Sequence, residues 1–311
     1  MMISRLTCSL AVLAGLASPA MAKDLSSVGI SVGSLGNPFF VATIKGIEDK
    51  AKSINPNVKI TSVSSDYDLN KQFTQVDNFI ASGANVLMIN AVDPIAVEPS
   101  VKRAQAAGMV VAAFDVAAAG ADVTVMTDNV KAGEIACQYI VDHLKGKGDV
   151  LIVNGPQVSS VTDRVKGCKA VFEKNSGIKV LSDNQDAKGS REGGFAVTQS
   201  LLTRFPKVDA IFAINDPTAI GANLAAKQLN RNEFIITAVD GAPDIEAELK
   251  SGNSLIKASA SQDPYVMAGQ SLELAAGILN GKKPEKNVIL LEPKLITSEN
   301  VGQYKGWTAA R

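Results

Sequence analysis

Val86-Leu87-Met88-Ile89-Asn90 is four apolar residues in a row followed by an amide. A strand with one face in water alternates apolar and polar residues. An unbroken apolar run needs cover on both faces, as in a parallel sheet enclosed by helices. Similar runs recur at 28–32, 58–63, 110–115, 150–154, 179–181, 210–215 and 234–240. Amphipathic stretches lie between them at 69–81, 130–144 and 219–229. In the first of these, Leu69, Phe73, Val76 and Ile80 recur at helical spacing. Strands alternating with helices predict an α/β chain.

Several of the runs end on a side chain that bonds hydroxyls: Asn90, Asp115, Asn154, Asn215 and Asp240. Any one of them is explained as a turn former or helix cap. Five together carry more, because open α/β sheets bind ligands beyond the carboxyl ends of their strands. Such ends facing one cleft suit a small ligand rich in hydroxyls.

Asn37-Pro38-Phe39-Phe40 follows the first run. Asn37 fits a helix N-cap, and Pro38 fits the first helical position, where a missing N–H costs nothing. Phe40, Ile44, Ile47 and Ala51 then form an apolar stripe, whereas Phe39 heads a stripe of Thr43, Gly46 and Lys50. Phe40 therefore has a core explanation and Phe39 has none. The expectation is that Phe39 forms a wall of the ligand site, packing on the C–H face of a sugar ring.

Residues 1–22 read as a cleavable secretory leader, with a basic start at Arg5, a short apolar segment and Ala20-Met21-Ala22 at the cleavage site. The mature chain would then be exported and periplasmic. Lys and Arg together number 31, as do Asp and Glu. A near-neutral chain without a basic cluster offers no footprint for nucleic acid. Its length predicts about two domains. Cys137 and Cys168 are the thiols left after the leader; they are either two small buried side chains or a disulfide, which persists in exported proteins.

The chain resembles the periplasmic sugar-binding proteins of the ribose-binding type, the capture components of ABC importers. The resemblance runs in order through Asn37-Pro38-Phe39-Phe40, Leu87-Met88-Ile89-Asn90, Phe114-Asp115, Thr127-Asp128-Asn129, Asp163-Arg164, Phe212-Ala213-Ile214-Asn215-Asp216, Val239-Asp240-Gly241 and Ser261-Gln262-Asp263-Pro264. It implies two similar doubly wound parallel-sheet lobes joined by three crossover segments. The N-terminal lobe would take residues 23–127 and 262–292, and the C-terminal lobe 128–261 and 293–311. It implies that Asn37, Phe39, Phe40, Asn90, Asp115, Arg164, Asn215, Asp240 and Gln262 contact a monosaccharide or polyol. It also implies a monomer that delivers its solute to importer membrane subunits and needs no cofactor or metal. On the residues alone, Arg164 also reads as a solvated cation before a helix, and Asp115 as a plain turn former.

The pattern breaks at three places. Val116 stands where many relatives carry arginine, Gly189 or Ser190 where an aromatic is usual, and Val239 where another aromatic often precedes the aspartate. A roomier, less cationic pocket than a ribose site follows, open to a hexose, a branched sugar, a linear polyol or a non-sugar polar metabolite. A chemoreceptor's ligand-sensing partner would use the same features. Against an enzyme stand a single histidine, His143, within a helical pattern, and no phosphate loop or metal-ligand spacing. Paired carboxylates acting as acid and base stay open on sequence alone. A sugar-responsive repressor would need a helix-turn-helix where the leader stands.

Overall fold

The computed structural model describes residues 24–307 and 309. The expected leader lies outside the described residues. Two six-stranded sheets form. The first takes β1 (Ser27–Val32), β2 (Lys59–Ser64), β3 (Val86–Ile89), β4 (Val110–Phe114), β5 (Val123–Thr127) and β11 (Val288–Leu291). The second takes β6 (Lys147–Asn154), β7 (Gly177–Asp186), β8 (Ala210–Ala213), β9 (Ile235–Asp240), β10 (Ile256–Ser261) and β12 (Lys294–Thr297). Their orders, β2-β1-β3-β4-β5-β11 and β7-β6-β8-β9-β10-β12, repeat one topology. Neighbouring strands are parallel except β12, which runs antiparallel to β10.

Nine α-helices among the described residues cover the sheets: α1 (Pro38–Ile54), α2 (Leu69–Ala81), α3 (Glu98–Ala106), α4 (Asn129–His143), α5 (Ser159–Glu173), α6 (Arg191–Arg204), α7 (Asp216–Gln228), α8 (Pro243–Ser251) and α9 (Pro264–Leu279). Although α9 follows β10 of the second sheet, it packs on β4 and β5 of the first. Likewise α4 follows β5 of the first sheet and packs on β9 and β10 of the second. One face of the first sheet buries Ile30, Met88 and Phe114 against Ile47 of α1 and Leu272 of α9. Another apolar cluster runs through both halves, from Leu87 and Ile89 to Ile152 and Phe212, and includes Val116, Ala118, Val158 and Val161. Beside these residues the Ala117 N–H donates to the Ser159 hydroxyl at 2.9 Å, tying the loop after β4 to the start of α5.

Four strands escape the sequence expectation: β5, β10, β11 and β12. In β10 the buried residues include Ser259 and Ser261, whose hydroxyls donate to Asp216 and to the Lys294 carbonyl. Partnered hydroxyls let a buried strand carry polar residues, which masks it as an apolar run. Thr127, buried with its hydroxyl donating to Gln262, does the same for β5. The strands β11 and β12 are short edge strands whose outer residues face water.

The helices α4 and α5 pack closely enough to need glycine. A Cβ on Gly133 would sit 1.9 Å from the Arg164 carbonyl oxygen, and one on Gly167 would sit 2.0 Å from that of Val130. Cys137 and Cys168 join the same two helices in a disulfide, with Cα atoms 5.1 Å apart.

Candidate functional site

The carboxyl ends of both sheets open onto one cavity of about 470 Å³, counting its mouth. Asn37, Phe39, Phe40, Asn90, Asp115, Arg164, Asn215, Asp240 and Gln262 all line it. Of the five strand-end residues, Asn154 stays out. Its amide donates to the Asp183 carbonyl and its side-chain oxygen accepts from the Gly155 N–H.

Asn37 caps α1, its side-chain oxygen accepting from the Phe39 N–H at 3.0 Å, and Pro38 is the first helical residue. The expected division of labour between the two phenylalanines needs correction. Both are buried, at 5% and 4% exposure, and both line the cavity. Phe39 packs edge-on against Phe40 at 5.4 Å and against Trp307 at 5.8 Å. The supposedly polar stripe beneath Phe39 is a helix seam. Thr43 is buried, and a Cβ on Gly46 would lie 2.2 Å from the Tyr265 carbonyl oxygen of α9. Small size, and not solvent, selected those residues.

The Asn90 side-chain amide donates to the Asp115 carboxylate at 2.8 Å, and the Asn90 carbonyl is held by the Gln72 amide at 2.9 Å. Asp115 has φ +63°, a left-handed conformation that Asp tolerates better than most residues. Burial, helped by the negative charge of Asp240, pushes its carboxyl up to about 6 against the pull of Arg164 and the Asn90 amide.

Arg164 lies inside α5, in its second turn, and is 4% exposed, so the reading as a solvated cation before a helix falls. Its Nε donates to Asn129 Oδ1 at 2.9 Å; its Nη1 donates to the Ile214 carbonyl at 2.9 Å and to Asp240 Oδ1 at 3.1 Å. Gln262 Nε2 donates to the same Asp240 oxygen at 2.7 Å, while Gln262 Oε1 accepts from the Thr127 hydroxyl at 2.7 Å. The indole N–H of Trp307 donates to the Gln262 carbonyl at 2.9 Å. Asn215 caps α7 through the Thr218 N–H and donates to the Gly189 carbonyl at 3.0 Å.

Behind Asp240 lies Asp216, buried and bonded to the Ser259 hydroxyl and the Ala242 N–H, each at 2.7 Å. Burial first, and the neighbouring Asp240 second, hold Asp216 well above the usual carboxylate range. Burial also raises Asp240, against Arg164 and the Gln262 amide. Two carboxylates facing the cavity against one guanidinium favour a neutral solute over an anionic one.

Val116 and Gly189 do line the cavity, whereas Val239 is fully buried in the core and does not. The change at Val239 therefore leaves the cavity lining unaltered. Sequence reasoning missed Tyr67 and Ser160, which also line the cavity. It missed the support from Asn129, Asp216 and Trp307 as well. Asn129 and Asp216 stood within quoted motifs, and their positions beside Asp128 and Asn215 were the available signal.

The sequence profile of the periplasmic binding protein domain family matches residues 28–283. This chain belongs to that family. It is a periplasmic binding protein of the ribose-binding type, a binding component and not a catalyst. It is 34% identical over 275 residues to the ribose import binding protein of Bacillus subtilis (strain 168), covering 86% of each chain. It is 28% identical to the xylitol-binding protein of Mycolicibacterium smegmatis, covering 92% of this chain and 81% of that one. Among solved structures, the Caulobacter myo-inositol binding protein bound to myo-inositol superposes with a TM-score of 0.83 at 25% identity, covering 94% of this periplasmic binding protein and 98% of the other. The repeated sheet topology described above is that of this fold.

Proposed function

We propose that this periplasmic binding protein captures a neutral sugar or polyol in the cavity between its two sheets and delivers it to the membrane subunits of an ABC importer. The observation that carries this reading is the convergence of nine side chains from the strand ends, helices and crossings of both halves on one cavity. The relatives named above bind ribose, xylitol or myo-inositol by their names. The lobes would divide at residues 127–128, 261–262 and 292–293, a division supported by the strands that each sheet recruits. Asn37, Phe39, Phe40, Asn90, Asp115, Arg164, Asn215, Asp240 and Gln262 would hold the solute, amides and carboxylates on its hydroxyls and rings on its C–H faces. Val116 offers no donor on its side of the cavity, so a solute with fewer hydroxyls along that edge is favoured. The chain would be exported by the leader of residues 1–22 and work as a periplasmic monomer. Closure would follow from contacts the solute makes better in the closed form.

A thermal-shift panel on the mature chain tests this, using aldopentoses, aldohexoses, deoxy and branched sugars, linear polyols and acidic metabolites. A solute at 100 times its Kd stabilises by about 2.7 kcal/mol. A shift of several degrees confined to one carbohydrate class is expected. A shift with an acidic metabolite and none with any carbohydrate would defeat the reading.

A further inference from the structure

Among the described residues, several of the N–H donors around the cavity are already committed to the protein itself, while the Asn37 amide, the second N–H of Asn215 and of Gln262, and Nη2 of Arg164 are not. The Asn90 amide holds Asp115, the Gln262 amide holds Asp240, the Asn215 amide holds the Gly189 carbonyl, and Nε and Nη1 of Arg164 bond protein oxygens. A sugar hydroxyl that donates to Asp115 or Asp240 still presents lone pairs that need donors, because a carboxylate only accepts.

Two hydroxyls line the cavity without a hydrogen bond to any described residue, those of Tyr67 and Ser160. Ser160 is 5% exposed and sits in the first turn of α5. Tyr67 comes from the opposite half, in the loop between β2 and α2. It is 38% exposed there, and it also lines the wider groove outside the cavity, so it stands at the mouth. Its φ of +58° follows an Asp66 at +52°, two successive left-handed residues carrying Cβ atoms. That geometry lays the ring over Gly33, where a Cβ would lie 2.6 Å from its Cε1. Burial, with the charges of Asp115 and Asp240, raises the phenol, which therefore stays protonated and able to donate.

We propose that Tyr67 and Ser160 are solute contacts, one hydroxyl from each half of the molecule, adding rotatable hydroxyl donors to those that the amides and Arg164 keep for a neutral polyhydroxylated ligand. This rests on the reading of the cavity as a sugar or polyol site. A hydroxyl rotates to donate or accept, so the pair suits solute hydroxyls and offers little to a carboxylate or phosphate beside Asp115 and Asp240.

Isothermal titration of D-ribose, D-allose, xylitol and myo-inositol into wild type, Tyr67→Phe and Ser160→Ala tests the assignment, with ligand-free melting as the structural control. For the solute that binds wild type best, each variant should weaken Kd about three- to tenfold, the range for one hydrogen bond, with melting unchanged. Tyr67→Asn, which suits the left-handed backbone, should weaken Kd further and leave melting equal or higher. Wild-type affinity in both conservative variants would overturn the proposal, and so would a fall in melting with Kd unchanged. If no carbohydrate of the thermal-shift panel, these four included, bound wild type, the sugar reading itself would fail and take this inference with it, an outcome distinct from equal binding.

Discussion

Arg164 and Asp240 meet at 3.1 Å with 5% and 6% of their side chains exposed, although 76 residues separate them. The same guanidinium also holds Asn129 and the Ile214 carbonyl, so one side chain links the start of α4, the end of β8 and the end of β9. Arg164→Ala would leave Asp240 buried without its counter-charge. Breaking a buried pair from one side costs about 3–5 kcal/mol. The expected outcome is a melting temperature lower by several degrees and solute affinity weakened tenfold or more, read by calorimetry and titration. Arg164→Lys should recover part of the stability and little of the affinity, because an ammonium cannot reproduce the fork.

Asp115 makes stability and binding respond to pH in opposite directions. Its folded-state value of about 6 lies above the ordinary 3.8, so between those values the folded chain binds more protons than the unfolded chain. Unfolding free energy from this group therefore falls as pH rises through that window and levels off above about 6. The upward shifts of Asp240 and Asp216 push the same way. Solute hydroxyls that donate to Asp115 need the ionised form, so affinity should rise with pH across the same window. Ligand-free melting should be higher at pH 5 than at pH 7.5, and Asp115→Asn should flatten both trends and weaken binding.

Phe39→Ala tests the corrected role of that ring. Because Phe39 is buried against Phe40 and Trp307, truncation should cost about 3–5 kcal/mol of stability as well as affinity. Trp307 is the sole tryptophan of the sequence, so its emission reports on this one place. Loss of its ring neighbour should shift emission to longer wavelength. Unchanged emission and melting with weakened binding would restore the earlier view of Phe39 as a wall only.

The disulfide between Cys137 and Cys168 closes a separation of 31 residues. A loop of that length corresponds to about 3–4 kcal/mol of unfolded-chain entropy. Intact mass before and after reduction should differ by two hydrogens, and the reduced chain should melt lower.

The α/β class was legible because parallel strands covered on both faces must read as apolar runs, as 86–89 does. The capped start of α1 was legible because Asn37-Pro38 has a local physical reason. Nine cavity residues were legible because strand ends and family motifs mark them. What was hidden depends on contacts distant in sequence. Gly46 looked polar-side until α9 arrived beside it, and Ser259 looked unfit for a buried strand until Asp216 supplied its partner. Tyr67 sits in a loop without periodicity, and only its backbone turn aims it at the cavity.

The seam between α4 and α5 has a mechanical consequence. Helix α4 leaves directly from the crossing after Thr127, and its first residue, Asn129, grips Arg164, one turn before the cysteine that staples α5 back to α4. Glycine on both helices leaves no slack between them. The start of α4 and the arginine in the cavity are thus rigidly joined. If the lobes close about residue 128 as proposed, the turn would carry the guanidinium with it, and a solute bound to that guanidinium would favour the turn.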